Sequence, residues 1–429
     1  MSRHPFVWPS DLYTELQYMS QAELLGRVFS SLIQVARTQV LEGLAVDSET
    51  GQLFLRTVTA EQAANILEDN ADILTQLQLK SNTSTAASSL FPFHLKAVQQ
   101  QLQAVVLSNH RAGSKSIVAW DDDNDQGTPL TYCITKDDRD KRFTVVFLNS
   151  NSAHDHSLSS IASTKALALS SRKQDDKDEA KKEVEDDGII VDSVNIHERF
   201  YDELFASGKL DEITNALAPL CQAYPKYKIY VTGHHAGAGK AVLAANWWAW
   251  QQVKSPSSLP SLPTPISCLT FGTPRVGDHS FLLLATDLEC RRLVRSCRIV
   301  HADDAMPHWS AWGLAHAGFQ VTVSEDSSPI VDNRSVAKGH STSSSSTFGD
   351  DVTNSLVSYP KLNDVCANRF MRACQNGGWR TLPHSSVDMA VYMETVSAYR
   401  LALEELDVNE MYNDEAAVGF AIAPLPVEQ

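Results

Sequence analysis

The sequence lacks long apolar runs and paired cysteines. No segment of its 429 residues approaches the roughly 20 consecutive apolar residues that cross a bilayer, and the first residues contain no apolar core of signal-peptide length. We therefore expect a soluble, cytoplasmic protein. The seven cysteines are scattered without a Cys-x-x-Cys pair, which favours reduced thiols over a disulfide framework or a zinc site. We expect neither a metal nor another cofactor.

Basic residues are scarce as well. The chain has 36 Lys and Arg against 52 Asp and Glu, a formal net charge of -16. Binding to nucleic acid needs concentrated positive charge, so nucleic acid is not an expected partner. What is abundant is apolar side chains, at 43% of the residues, which is ample for a large core.

The N-terminal quarter of the chain reads as helical. Apolar residues recur at spacings of three and four in residues 15–40 and 60–79, with few glycines or prolines. We therefore expect residues 1–110 to form a helical segment packed on the core of a larger domain, residues 111–429. No chemistry is evident in this segment.

Two stretches of the larger domain have compositions that oppose folding. Residues 151–187 are rich in Ser, Ala and alternating charge, and residues 325–351 contain a run of Ser and Thr. Such segments bury too little apolar surface to offset the entropy of ordering them, so we predict disordered insertions at both places.

Outside these insertions, strand-like and helix-like segments alternate. Segments typical of strands lie at residues 130–135, 143–147, 227–231 and 266–271, and segments typical of helices lie at residues 196–224 and 237–254. This alternation predicts an α/β fold with a mainly parallel central sheet flanked by helices.

One turn between strand and helix carries a recognisable pattern. Gly233 and Gly237 bracket the sequence His-His-Ala directly after a predicted strand. In a Gly-x-Ser-x-Gly nucleophile elbow, the chain turns sharply from strand into helix and presents the central serine. Here the central residue is His235, so the pattern predicts an elbow without its nucleophile.

The same glycines allow a less favoured alternative, a phosphate-binding loop. That motif needs four residues between its first glycine and Gly-Lys, followed by Ser or Thr for magnesium. Here five residues separate Gly233 from Gly239-Lys240, and Ala241 carries no hydroxyl. Nucleotide binding therefore remains only a remote alternative.

Further segments favour the nucleophile elbow over the phosphate-binding loop. Residues 270–278 read Thr-Phe-Gly-Thr-Pro-Arg-Val-Gly-Asp, and residues 298–307 read Arg-Ile-Val-His-Ala-Asp-Asp-Ala-Met-Pro. Residues 143–150 end in Phe-Leu-Asn-Ser, and residues 224–237 lead from Tyr-Pro into the elbow. In this order they resemble the class 3, or fungal-type, lipases, which implies the α/β-hydrolase fold.

The resemblance also implies a site. In this family an acyl group is transferred to a serine, a histidine acts as general base, and an aspartate orients that histidine. The nucleophile position falls on His235 and the orienting carboxylate on Asp304, with Asp303 as the alternative. His384 fits the general base better than His316 does, because the family's catalytic histidine follows the aspartate at a distance.

The oxyanion donors implied by the resemblance are the backbone N–H of Ala236 and the N–H or hydroxyl of Ser150. The family's Arg-Gly before that hydroxyl is replaced here by Leu148-Asn149. Lys240 stands where the family usually has an apolar residue, so the start of this helix is expected to pack differently. The resemblance gives His197, His234 and Arg275 structural roles.

The preferred interpretation is a lipase-like protein of lipid metabolism that is catalytically impaired, a pseudo-lipase with a binding or scaffolding role. The alternative is an active lipid or carboxylic-ester hydrolase with a modified triad. Either interpretation implies a lipid or ester small molecule as ligand and transient contact with a membrane or lipid surface. The sequence identifies no protein partner.

Overall fold

The computed structural model describes residues 12–45, 53–83, 95–109, 115–121, 130–148, 164–168, 193–254, 262–301, 307, 314–324 and 327–332. Within these residues, no helix is both long and apolar enough to cross a membrane.

The N-terminal region is built from four helices: α1 (Leu12–Ala36), α2 (Ala60–Asp69), α3 (Ala71–Thr83) and α4 (Leu95–Asn109). The single helix predicted over residues 60–79 is therefore two. The break falls at Asn70, whose side-chain amide donates to the carbonyls of Ile66 and Glu42 at 2.7 and 3.0 Å. At the other end of α2, Thr59 and Gln62 form a capping box that fixes the first turn.

The described strands form one large sheet and one hairpin. The large sheet has nine strands in the order β1-β2-β3-β4-β7-β8-β9-β10-β11. Strands β4, β7, β8, β9 and β10 are parallel to one another, and the strands at both edges are antiparallel. The bounds are β1 Val58–Thr59, β2 Lys115–Trp120, β3 Tyr132–Asp137, β4 Arg142–Phe147, β7 Lys228–Gly233, β8 Ile266–Phe271, β9 Val294–His301, β10 Phe319–Ser324 and β11 Ser327–Asp332.

The hairpin consists of β5 (Thr164–Ala168) and β6 (Ser193–His197). It leads into α5 (Glu198–Tyr201), a π-helical turn (Asp202–Ala206) and α6 (Lys209–Ala223). The helix predicted over residues 196–224 thus begins late and is interrupted, because Gly208 has a φ of +73° that no helix continues through. Among the described residues, α7 (Ala236–Lys254) and α8 (His279–Cys290) follow.

Helices cover both faces of the sheet. On β4, Val145 belongs to the apolar layer shared with α6, α7 and α8, whereas the next residue, Val146, belongs to the layer shared with α1, α2 and α4. This alternation is the period-two pattern of a strand buried on both faces. The predicted α/β fold with a central, mainly parallel sheet flanked by helices is confirmed.

Part of the predicted disorder is wrong. Residues 164–168, inside the first predicted insertion, are strand β5, which pairs in antiparallel register with β6. Leu167 also packs against the main core, so this short segment buries apolar surface. Residues 327–332, inside the second predicted insertion, are strand β11, paired with β10. The remainder of both insertions lies outside the described residues.

Candidate functional site

The elbow joins β7 to α7. His235 stands at its apex with a φ of +50°, in the left-handed region that few residues other than glycine adopt. Its backbone N–H donates to the carbonyl of Phe271 at 3.0 Å, and its carbonyl accepts from the N–H of Gly239 at 3.1 Å. Hydrogen bonds on both sides therefore hold the chain in the sharp turn that presents residue 235.

Gly233 occupies a position in the elbow where there is no room for a side chain. A Cβ placed on Gly233 would lie 2.5 Å from the carbonyl carbon of Gly237, closer than real side-chain atoms come to backbone. The strand end and the first turn of α7 thus touch backbone to backbone. This close approach confirms that the small residues of the motif relieve crowding in the turn.

Two adjacent imidazoles occupy the apex. The rings of His234 and His235 stack with centroids 3.7 Å apart and an interplanar angle of 28°. His234 is buried, whereas His235 is half-buried. Burial, together with the nearby His235 and Arg27, lowers the pKa of His234 well below its usual value. His234 is therefore neutral at physiological pH, and its buried ring packs against the half-buried ring of His235.

An ion pair from α1 lies close to these histidines. Glu23 and Arg27 face each other one helical turn apart, and both side chains are buried. Burial raises the pKa of the Glu23 carboxyl, while the charges of Arg27 and His235 oppose that rise. This pair was not predicted from the sequence. The available signal was two opposite charges four residues apart within the apolar stripe of an amphipathic helix.

Lys240 lies at the start of α7 and is only 3% exposed. Its ammonium donates to the carbonyl of Leu148 at 3.0 Å and pairs with Glu203 at 3.1 Å. Glu203 also pairs with Arg199 at 2.6 Å. Burial opposes ionisation of Glu203, but Lys240 and Arg199 outweigh it and lower the pKa of this carboxyl. This helix start therefore packs around an interior charge.

The position of Lys240 also bears on the nucleotide-binding alternative. A phosphate-binding loop directs its lysine towards the bound phosphates. Here the ammonium points into the protein, towards a strand end and a carboxylate. This geometry removes the cation on which nucleotide binding depends.

Ala236, the predicted oxyanion donor, is the first residue of α7. The first N–H groups of a helix have no acceptor within it, and the helix dipole makes this end positive. His235 directly precedes Ala236, whose N–H lies at this positive end of the helix. The hydroxyl that a serine would supply is missing.

The other predicted site residues are Ser150, Asp303, Asp304 and His384, and all four lie outside the described residues. The triad and the second oxyanion donor therefore remain predictions. Within the described part of the chain, no cluster of three or more His, Cys, Asp or Glu side chains is arranged to hold a metal ion.

Two further residues with predicted structural roles, together with His316, have structural contacts. His197 caps α5, its Nδ1 accepting from the N–H of Arg199 at 3.2 Å. The guanidinium of Arg275 donates to the carbonyl of Leu314 at 3.4 Å. His316, passed over as the general base, lies with its Nε2 2.9 Å from the carbonyl of Pro307.

A mainly parallel sheet flanked by helices, with a strained turn from β7 into α7, is the arrangement of the α/β-hydrolase fold. More particularly, residues 159–313 match the family model of the class 3 lipases.

Individual proteins are similar to parts of this chain. The chain is 25% identical to phospholipase A1-IIgamma of Arabidopsis thaliana over 235 residues, 46% of this chain and 55% of the relative. It is 27% identical to a lipase of Rhizomucor miehei over 180 residues, 41% and 43% of the two chains. The matched region thus spans about half the length of these curated relatives. Among solved structures, the lipase of Rhizopus microsporus var. chinensis is similar at 18% identity and a TM-score of 0.37, covering 66% and 84% of the two chains.

Proposed function

We propose that this protein is a lipase-like protein of lipid metabolism that binds a lipid or ester at the elbow and has lost most or all hydrolytic activity. One observation carries the proposal: the elbow backbone is kept, with residue 235 at a φ of +50°, but its side chain is an imidazole. Loss of a triad nucleophile removes about 10⁶-fold in turnover. Binding of a ligand requires the backbone of the elbow but does not require the serine hydroxyl.

The remaining groups suit binding of a carbonyl compound. An ester carbonyl directed at the first turn of α7 would meet the N–H of Ala236 and the positive end of the helix dipole. The half-buried ring of His235 would lie beside it as a hydrogen-bonding partner. We further propose a cytoplasmic location and transient contact with a lipid surface, from which such a ligand would be drawn.

The test is an ester-hydrolysis assay with p-nitrophenyl esters from acetate to palmitate, comparing the wild-type protein with His235→Ser. We expect background hydrolysis from the wild-type protein and measurable turnover from His235→Ser. His235→Ala serves as the matched control, since it also removes the imidazole but supplies no hydroxyl. Robust wild-type turnover that serine-reactive phosphonates abolish would overturn the proposal.

A second candidate is an active hydrolase in which His235 itself accepts the acyl group. The half-buried position of this ring at the apex favours it. The imidazole nitrogen would attack the ester carbonyl and expel the alcohol, and water would then release the acid from the acyl-imidazole. On this mechanism, His235→Ala and Asp304→Asn lower turnover while the thermal midpoint stays unchanged. Unchanged turnover in both variants would exclude it.

A further inference from the structure

The buried ammonium of Lys240, at the start of α7, lies between the end of β4 and the elbow. Phe147, at the end of β4, is in register with Gly233 at the end of β7, so Leu148 lies at the same edge of the sheet as the elbow. Lys240 reaches the carbonyl of Leu148 from the helix that begins with Ala236. One side chain therefore links the two backbone segments that border the elbow.

Both partners of Lys240 are themselves held in place, since the N–H of Leu148 donates to the carbonyl of Thr131 at 2.8 Å. The carboxyl of Glu203 lies in the π-helical turn and is held on its other side by Arg199. A buried ammonium must keep its partners, since an uncompensated buried charge is strongly unfavourable. The distance between the end of β4 and the first turns of α7 is thus set by charge and a hydrogen bond, at a place where the resemblance has apolar packing.

We propose that Lys240 is a positioning residue for the elbow site, fixing the N-terminal turn of α7 relative to the end of β4 so that a carbonyl bound at the N–H of Ala236 is held in one place. The inference deepens the proposed function and rests on it, because it assumes a ligand at the elbow. Lys240 does not touch the ligand, since its ammonium is directed at Leu148 and Glu203.

The experiment measures binding of a long-chain alkyl trifluoromethyl ketone, a carbonyl probe with no leaving group, by titration calorimetry. We expect Lys240→Met to weaken binding about tenfold, the scale on which small misplacements of a site act. Lys240→Arg, which keeps the charge, should recover part of that loss. Glu203→Gln should weaken binding by a smaller factor, and it carries the test should Lys240→Met fail to fold.

The matched control is Lys115→Met. Lys115 is also a buried lysine, 2% exposed, but it lies at the start of β2 and donates to Gln21 at 2.8 Å. This variant should bind the probe within about twofold of the wild-type protein, whatever its change in thermal midpoint.

The outcomes separate the two proposals. If the wild-type protein binds the probe and the Lys240 and Glu203 variants bind equally well, Lys240 has only a structural role and the inference is wrong while the proposed function stands. If the wild-type protein does not bind the probe at all, the proposed ligand site is absent and both proposals fall together. Selective weakening, with partial recovery in Lys240→Arg, supports the inference.

Discussion

The positive φ of residue 235 is energetically unfavourable, and histidine tolerates it better than most residues do. A φ of +50° is unfavourable for L-residues because Cβ approaches the neighbouring carbonyl, and polar residues such as Asn, Asp and His enter this region more often than others. The hydrogen bonds to Phe271 and from Gly239 keep the conformation in place. A serine at this position would meet the same constraint.

The positive φ at residue 235 predicts that two substitutions there differ in stability. His235→Val should lower the free energy of unfolding by about 1–2 kcal/mol relative to His235→Gly, because a β-branched side chain is most strained at positive φ and glycine is not strained at all. Urea denaturation of the two variants measures the difference. Equal stability would mean that the apex relaxes out of the left-handed region when the ring is removed.

Gly233 has a constraint of a different kind, close contact with backbone, and we predict that Gly233→Ala is strongly destabilising. The added Cβ would meet the carbonyl of Gly237 at 2.6 Å, and neither β7 nor α7 can move away without breaking the elbow. We expect a loss of about 3 kcal/mol or more in unfolding free energy, measured by urea denaturation.

Gly208→Ala provides the control for that variant. Gly208 has a φ of +73° but open space around its Cβ position, so only backbone strain applies and the loss should be about 1 kcal/mol. If the two variants were equally stable, close backbone contact would not be what requires glycine at position 233.

At the scale of elements, local sequence pattern predicts what local forces determine. Strand β8 begins and ends where its apolar run predicts, at residues 266 and 271. The break between α2 and α3 was not predicted, because it depends on hydrogen bonds between Asn70 and Glu42, far apart in sequence. The contacts of Lys240 could not be predicted for the same reason. The sequence places Lys240 in a helix, but it does not identify its partners Leu148 and Glu203.

Helix α8 and strand β9 are joined through a buried carboxyl, which makes their contact sensitive to pH. Glu289 is fully buried, and its Oε1 accepts from the N–H of Ser296 at 2.9 Å. Burial raises the pKa of Glu289 from 4.5 to about 7, against the opposing effects of Ser296 and Arg298. Between these values the folded protein binds more protons than the unfolded chain, so stability falls as the pH rises from about 4.5 to about 7.

Glu289→Gln should remove this dependence. The amide oxygen can still accept from Ser296 but does not ionise, so the variant should gain up to roughly 3 kcal/mol relative to the wild-type protein across that pH range. Chemical denaturation at a series of pH values measures both curves. Parallel curves would show that Glu289 does not titrate in this range.

At the scale of the whole molecule, the N-terminal helices form one of the two layers that bury the sheet. Apolar side chains of α1, among them Leu25, Phe29 and Leu32, share a core with Ile117, Val146 and Leu148 of the strands. Gly26 permits this approach, since a Cβ there would lie 2.8 Å from Sγ of Cys133. The same helix carries Glu23 and Arg27, which act electrostatically on the histidines of the elbow.

This shared core predicts that the N-terminal helices and the sheet unfold together. Leu25→Ala should lower the unfolding free energy by about 2–4 kcal/mol, and the loss should appear equally in amides of α1 and of α7, on opposite faces of the sheet. Hydrogen exchange followed by mass spectrometry at increasing urea measures both helices in one experiment. Leu243→Ala, in the layer on the α7 side, is the reciprocal variant and should weaken protection in α1 as well. If each substitution weakened only its own layer, residues 1–110 would be an independent folding unit, and the ion pair of α1 would reach the elbow across a domain boundary instead of from within one core.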